Sequence, residues 1–238
     1  MDDDVRHELV PTGVLRASIN LGNPVLAQGN PSRPSGVSVD LARELARRLD
    51  VPIQLVCFDA ARKSLAAVMD GQADLCFLAV DPARAESLNF TAAYAVIEGV
   101  FAVRQESSIR TLADVDRPGV RVGVKQGSVY DLFLSRELRH AKVVRGEEGS
   151  TIFRDLGLEV AAGIRQPITA FVAANHTLRV IEPAFMQIEQ AVAIPVGRPA
   201  SAVEFLHDFV EDVKASGFVA ESLRRSGQDI AVAPAVQR

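Results

Sequence analysis

The chain has 238 residues, 48% of them apolar, and a net charge of -4. This length admits two modest domains with buried cores. The mild charge leaves no footprint for nucleic acid, and no apolar run reaches the length of a membrane span.

The opening residues 1–13 are acidic and polar and do not read as a secretory leader. Residues 15–20 fit a first strand, and residues 22–36, rich in Gly, Pro, Ser and Asn, read as loop. Val39, Ala42, Leu45, Ala46 and Leu49 recur at helical spacing. Residues 53–58 fit a second strand. Leu65, Val68 and Met69 mark the buried face of a second helix, which ends near Gly71. Residues 75–80 form an apolar third strand, broken at Asp81-Pro82. Strands alternating with helices predict a parallel sheet with right-handed crossovers.

Residues 94–103 are apolar and β-branched, long enough to leave one sheet and enter another. Residues 111–114 fit a short capped helix. A second alternating block follows, with strands at 120–124, 141–145, 160–164 and 178–181. Its helices fall at 129–138, about 152–156 and 168–174, and an irregular turn covers 147–150. Residues 187–196 are extended again and fit a return. Val203, Leu206, Phe209, Val210 and Val213 then line one face of an amphipathic helix. A last helix covers 218–225, and the aperiodic tail from Ser226 to Arg238 is expected to fray. Two similar blocks joined by two extended segments would enclose a cleft, a preferred ligand site.

Four positions carry candidate chemistry. Asp81 reads as an N-cap with Pro82 at the first helical position. Arg84 then stands in the first turn beyond the carboxyl end of a buried strand. Ligands sit at such ends in open α/β sheets, and a guanidinium there suits a carboxylate. Against this stands an ordinary solvated arginine. Lys125-Gln126-Gly127-Ser128 ends a strand and opens a helix, whose free N–H groups suit an anion. The plain alternative is a turn with Ser128 as N-cap. Asn20 and Asn23 follow the first strand, where they are also default turn residues. Arg165 and Gln166 sit at a strand end before a helix opened by Pro167, or on an exposed turn.

Cys57 and Cys76 lie in apolar runs and read as buried thiols. His7, His140, His176 and His207 are scattered and read as solvated surface residues. No metal-ligand spacing, phosphate loop, dinucleotide fingerprint or nucleophile-histidine pattern is present, so the sequence calls for no metal or cofactor.

Taken in order, the landmarks resemble the extracellular solute-binding proteins, family 3, of polar amino-acid ABC transporters. Gly36-Val-Ser-Val-Asp40-Leu41-Ala42 is similar to the family's helix entry, and Gly71-Gln-Ala-Asp74 to its Gly-x-x-Asp. Pro82-Ala-Arg84-Ala85 through Phe90-Thr91-Ala-Ala-Tyr94 resembles the arginine motif, and Gln126-Gly127-Ser128 the anion loop. The resemblance covers about residues 12–227.

It implies an α/β fold of the type II periplasmic-binding-protein kind, two doubly wound lobes joined by a two-strand hinge. Lobe 1 is expected at 1–101 plus 197–238 and lobe 2 at 104–190, with hinge segments near 101–104 and 190–197. Closure would bring Arg84 against Ser128. Arg84, Gly127 and Ser128 are implied carboxylate ligands, Asn20 and Asn23 first-lobe contacts, and Ala79 stands where backbone donors usually precede the arginine. The implied protein is a non-enzymatic monomer that delivers a small anionic ligand to a membrane ABC permease and has no nucleic-acid partner. Its expected place is the periplasm, with the cytoplasm left open by the absence of a leader.

The family's ammonium-binding Asp is replaced by Ile164 or Arg165. An ammonium facing Arg165 would be repelled, so the sequence favours a carboxylate without an ammonium, or a ligand with a second acidic group near Arg165. The family's strand order separates Cys57 from Cys76, so both are expected to be reduced. Two rivals remain: a cyclohexadienyl-dehydratase-like enzyme, using Glu98 or Glu182 as acid/base, and a cytoplasmic ligand-sensing domain.

Overall fold

A computed structural model describes residues 3–236; the ends of the chain, including the last two residues of the tail, lie outside it. The chain divides into unit 1, Met1–Val96 with Glu189–Arg238, and unit 2, Ile97–Ile188.

Unit 1 begins with α1 (Asp3–Leu9), β1 (Leu15–Asn20), β2 (Gln28–Asn30), β3 (Arg33–Ser35) and α2 (Val37–Leu49). β4 (Ile53–Phe58), α3 (Ala61–Met69), β5 (Leu75–Ala79) and α4 (Pro82–Ala85) follow. β6 (Leu88–Arg104) then carries the chain into unit 2. There β7 (Arg121–Lys125), α6 (Val129–Glu137), β8 (Lys142–Gly146), α7 (Gly149–Asp155), β9 (Val160–Ile164) and α8 (Arg165–Ala173) follow the short α5 (Leu112–Val115). β10 (Leu178–Pro195) returns to unit 1, where α9 (Ala200–Ala215), α10 (Phe218–Arg225) and β11 (Ala231–Val232) complete it.

In unit 1 the strands run in the order β4-β1-β5-β10-β6. β1 is parallel to both β4 and β5, as the strand-helix alternation predicts, and β10 is antiparallel to β5. One ion pair ties β1 to the start of β5. The fully buried carboxylate of Asp74 accepts the Arg16 backbone N–H at 2.8 Å and Arg16 Nη2 at 2.6 Å. Arg16 Nη1 also donates to the Gly71 carbonyl at 2.7 Å. In unit 2 the order is β6-β9-β7-β8, with β9 antiparallel to β6 and parallel to β7. Val100, Ala102, Phe153, Leu158, Ala161 and Ile168 form its core.

Several expectations are corrected. The supposed loop at 22–36 holds the β2–β3 hairpin. Met69 is 47% exposed; Val68 is buried as expected, and Ser64 and Ala67 are buried with it. α7 starts at Gly149, inside the supposed turn. α8 starts at Arg165, so Pro167 is its third residue, where the missing N–H is still tolerated. β10 is one strand where two segments were expected. The tail does not simply fray: β11 pairs with β6, and the Ala233 N–H donates to the Tyr94 carbonyl. That pairing depends on a distant strand and leaves no local periodicity. His207 is part-buried, its Nδ1 accepting the Ala92 N–H at 3.2 Å, whereas the other three histidines are exposed.

Cys57 is on β4 and Cys76 on β5, with β1 between them. Two strand spacings come to about 10 Å, beyond disulfide reach. Both thiols are free, and burial pushes the Cys76 pKa up to about 12.

Two outcomes follow. Asp74→Ala should lower unfolding stability by about 2–3 kcal/mol in urea, because the Arg16 donors lose a charged acceptor. With a thiol reagent at pH 8, the native protein should expose at most Cys57, and the unfolded protein two thiols; fewer in denaturant would mean a bridge.

Candidate functional site

In unit 1, β5 is buried along its length and ends at Ala79. Asp81 caps α4 by accepting the Ala83 N–H at 2.9 Å, with Pro82 in the first turn. This turns Arg84 inward, where it is only 3% exposed and Nη1 donates to the Ala79 carbonyl at 2.9 Å. Burial lowers its pKa, opposed by the fields of Asp81 and Cys76. An arginine stays charged even so. The structure thus brings Arg84 and Ala79 together. Ala79 contributes an acceptor, and the next N–H, of Val80, is used by the Glu189 carbonyl at 2.9 Å.

Asn20 and Asn23 hold the loop after β1. Asn20 Oδ1 accepts the Gly22 N–H at 3.0 Å, and Asn23 Oδ1 accepts the Val25 N–H at 3.3 Å. A Cβ on Gly22 would lie 2.0 Å from the Asp59 carbonyl oxygen, so only glycine fits there. Gln190, 3% exposed and in register with Ala79 across β10, escaped the sequence reading. Its signal was an amide beside the apolar run that follows it.

In unit 2, Ser128 caps α6, accepting the Asp131 N–H at 3.1 Å. Gly127 takes φ 71°, a conformation that favours glycine. The expected free N–H groups are not free. The Gly127 N–H donates to Asp131 Oδ2 at 2.9 Å, and the Ser128 N–H to the Lys125 carbonyl at 3.1 Å. Asp131, 3% exposed, also pairs with Arg145 Nε at 3.0 Å and accepts the Ser135 hydroxyl at 3.2 Å. Lys125 is paired with Glu148. Ser-x-x-Asp is the spacing of a capping box, which is the sequence signal for Asp131.

Arg165 opens α8 and does not stand as a bare cation. Nε donates to Glu98 on β6, and Nη1 and Nη2 donate to the two oxygens of Glu182 on β10 at 2.6 and 2.8 Å. Gln187 Nε2 donates to the other Glu98 oxygen at 3.0 Å. The Gln187 and Arg165 bonds draw the Glu98 pKa down, Arg165 does the same for Glu182, and the carboxylates raise that of Arg165. The repulsion expected from Arg165 is therefore corrected: the group carries one net negative charge. Glu98 was legible as a lone carboxylate in an apolar strand, but its partners were not. The buried Gln166 Oε1 has no hydrogen-bond partner among the described residues. An acceptor left this way costs about 1–3 kcal/mol.

The model of the bacterial extracellular solute-binding proteins, family 3, matches residues 19–229. The chain belongs to this family. No curated protein matches it. Among solved structures, a mutant of ArgBP from T. maritima is 22% identical, with TM-score 0.76, covering 94% of this chain and 99% of its own. A putative ABC-transporter binding component from Wolinella succinogenes, complexed with lysine, is 20% identical, with TM-score 0.75 and coverages of 90% and 95%. The ancestral amino-acid-binding protein AncCDT-1, a precursor of cyclohexadienyl dehydratase, is 19% identical, with TM-score 0.75 and coverages of 92% and 97%. At these identities the likeness shows the fold, that of the type II periplasmic binding proteins.

The depressed Glu98 pKa gives this family member a signed pH dependence. Its ordinary value is 4.5 and the folded value is lower, so its stabilisation is present above 4.5 and lost as the pH falls further. Glu98→Gln should therefore be less stable than wild type at pH 7 in urea, and the gap should narrow below pH 4.5.

Proposed function

We propose that this protein is the substrate-binding component of an ABC importer. It captures a small carboxylate-bearing solute, amino-acid-like or an organic acid, outside the cytoplasm and presents it, as a monomer, to a membrane permease. One observation carries this reading: Arg84 is buried at the carboxyl end of β5, held by a backbone carbonyl in a fixed orientation. Planar guanidinium groups bind carboxylates through paired hydrogen bonds, which a lysine cannot reproduce. Family membership supports the transport role, and the lysine bound to the Wolinella succinogenes protein supports an amino-acid-like solute. Asn20 and Asn23, in the same unit as Arg84, are the further contacts of this proposal.

The dehydratase alternative has AncCDT-1 in its favour. It would need an acid/base group with a pKa near the working pH. Glu98 and Glu182 are both held below the usual carboxylate range, which counts against them in that role.

A panel of amino acids and organic acids, screened by thermal shift and measured by calorimetry, tests the reading. Arg84→Ala should weaken the best binder by about 30-fold or more, and Arg84→Lys should not restore it. Circular dichroism checks that both variants fold. Affinity within threefold of wild type in Arg84→Ala would remove the assigned site.

A further inference from the structure

We infer that Gln190 is a second ligand of the solute's carboxylate, its Nε2–H donating to the group that Arg84 grips. This rests on Arg84 as the carboxylate ligand and stays within unit 1. The first argument is register. Gln190 on β10 lies opposite Ala79 at the carboxyl end of β5, and Val192 lies opposite Phe77. Opposed residues of an antiparallel pair have Cα atoms about 5 Å apart and project to the same face. Ala79 is also the residue whose carbonyl accepts Arg84 Nη1 at 2.9 Å. One backbone position is thus opposed by Gln190 and holds Arg84.

The second argument is an unspent amide. Gln190 is 3% exposed, and its carboxamide makes no hydrogen bond to any described residue. Unlike Gln166 Oε1, its polar atoms are not sealed from solvent. Ala191, Val192, Ala193 and Ile194, which follow it on β10, are all buried and apolar. Packing alone would be served as well by an aliphatic side chain, and a buried polar group without a partner costs stability.

The third argument is the demand for donors. A carboxylate offers about four lone-pair sites, and the fork of a guanidinium fills two. The backbone at the end of β5 has little to add. The Val80 N–H goes to the Glu189 carbonyl, that of Ala83 to Asp81 Oδ1, and those of Arg84 and Ala85 to the Asp81 carbonyl. Pro82 has none. The Gln190 amide is a donor at this strand end that no protein acceptor claims.

Two measurements test this. The first titrates isotope-labelled wild-type chain with propionate, a carboxylate with no other polar group. NMR follows the Arg84 Nε–H and the Gln190 side-chain amide, assigned by their loss in Arg84→Lys and Gln190→Met. Both should shift saturably with one midpoint. Saturation at Arg84 with Gln190 unmoved overturns the inference and leaves the Arg84 reading standing. No saturation at Arg84 removes that reading, and the inference with it.

The second separates a contact from a packing role. Gln190→Met keeps the length of the side chain and removes the amide. No protein hydrogen bond is lost, so its midpoint in urea should be no lower than that of wild type. By calorimetry, the best binder of the amino-acid and organic-acid panel should bind it at least about fivefold more weakly. Gln190→Glu sets one carboxylate against another and should weaken binding by about thirtyfold or more at pH 7. A smaller loss in either variant, or a Gln190→Met midpoint below wild type, overturns the inference.

Discussion

Burying one guanidinium at the end of β5 is the constraint on which the candidate site depends. Removing a charge of this kind from water costs several kcal/mol unless hydrogen bonds and opposite charge compensate. The fold supplies both. The Ala79 carbonyl accepts Nη1, and Asp81, three residues before Arg84, contributes its field while capping α4. These groups are placed by one feature, a strand buried along its whole length that ends in a proline-opened turn. That strand is buried because β1 lies on one side and β10 on the other. The Arg16–Asp74 pair, at the opposite end of β5 from Arg84, locks the β1 side.

Unit 2 treats charge differently. Its candidate cations are not held in readiness but already neutralised. Arg165 illustrates the consequence. From the sequence it reads as a residue that would repel an ammonium. In the structure its guanidinium is bound by Glu98 and Glu182, and the sign of the local charge reverses. Gly127 and Ser128 show the same economy, with Asp131 and a backbone carbonyl taking the donors assigned to a ligand. The two units differ chemically. Unit 1 holds a buried cation, while unit 2 holds compensated pairs and one acceptor without a partner among the described residues.

This division bears on the rival readings. An acid/base enzyme places a carboxyl group where its charged form is disfavoured, so that the pKa rises toward neutrality. Glu98 and Glu182 are in the opposite environment, stabilised as anions by Arg165 and, for Glu98, by Gln187. Such groups position and discriminate more readily than they transfer protons.

The sequence by itself determined most elements and the location of Arg84. Apolar periodicity, turn residues and the Asp81-Pro82 cap are local signals, set by neighbours a few residues away. The same locality made Ser128 legible as a cap. Where pairing is remote, the sequence fell short. β11 forms against β6, the hairpin at 28–35 forms inside a Gly-rich stretch, and His207 finds its partner at Ala92. The charge around Arg165 was set in the same way. Arg165 meets Glu98 and Glu182 only because β6, α8 and β10 come together in unit 2, across separations of 67 and 17 residues. A residue's identity fixes its charge, but its effect depends on what stands within a few ångströms. Tertiary structure alone decided that Arg84 is a buried cation and Arg165 part of a negative group.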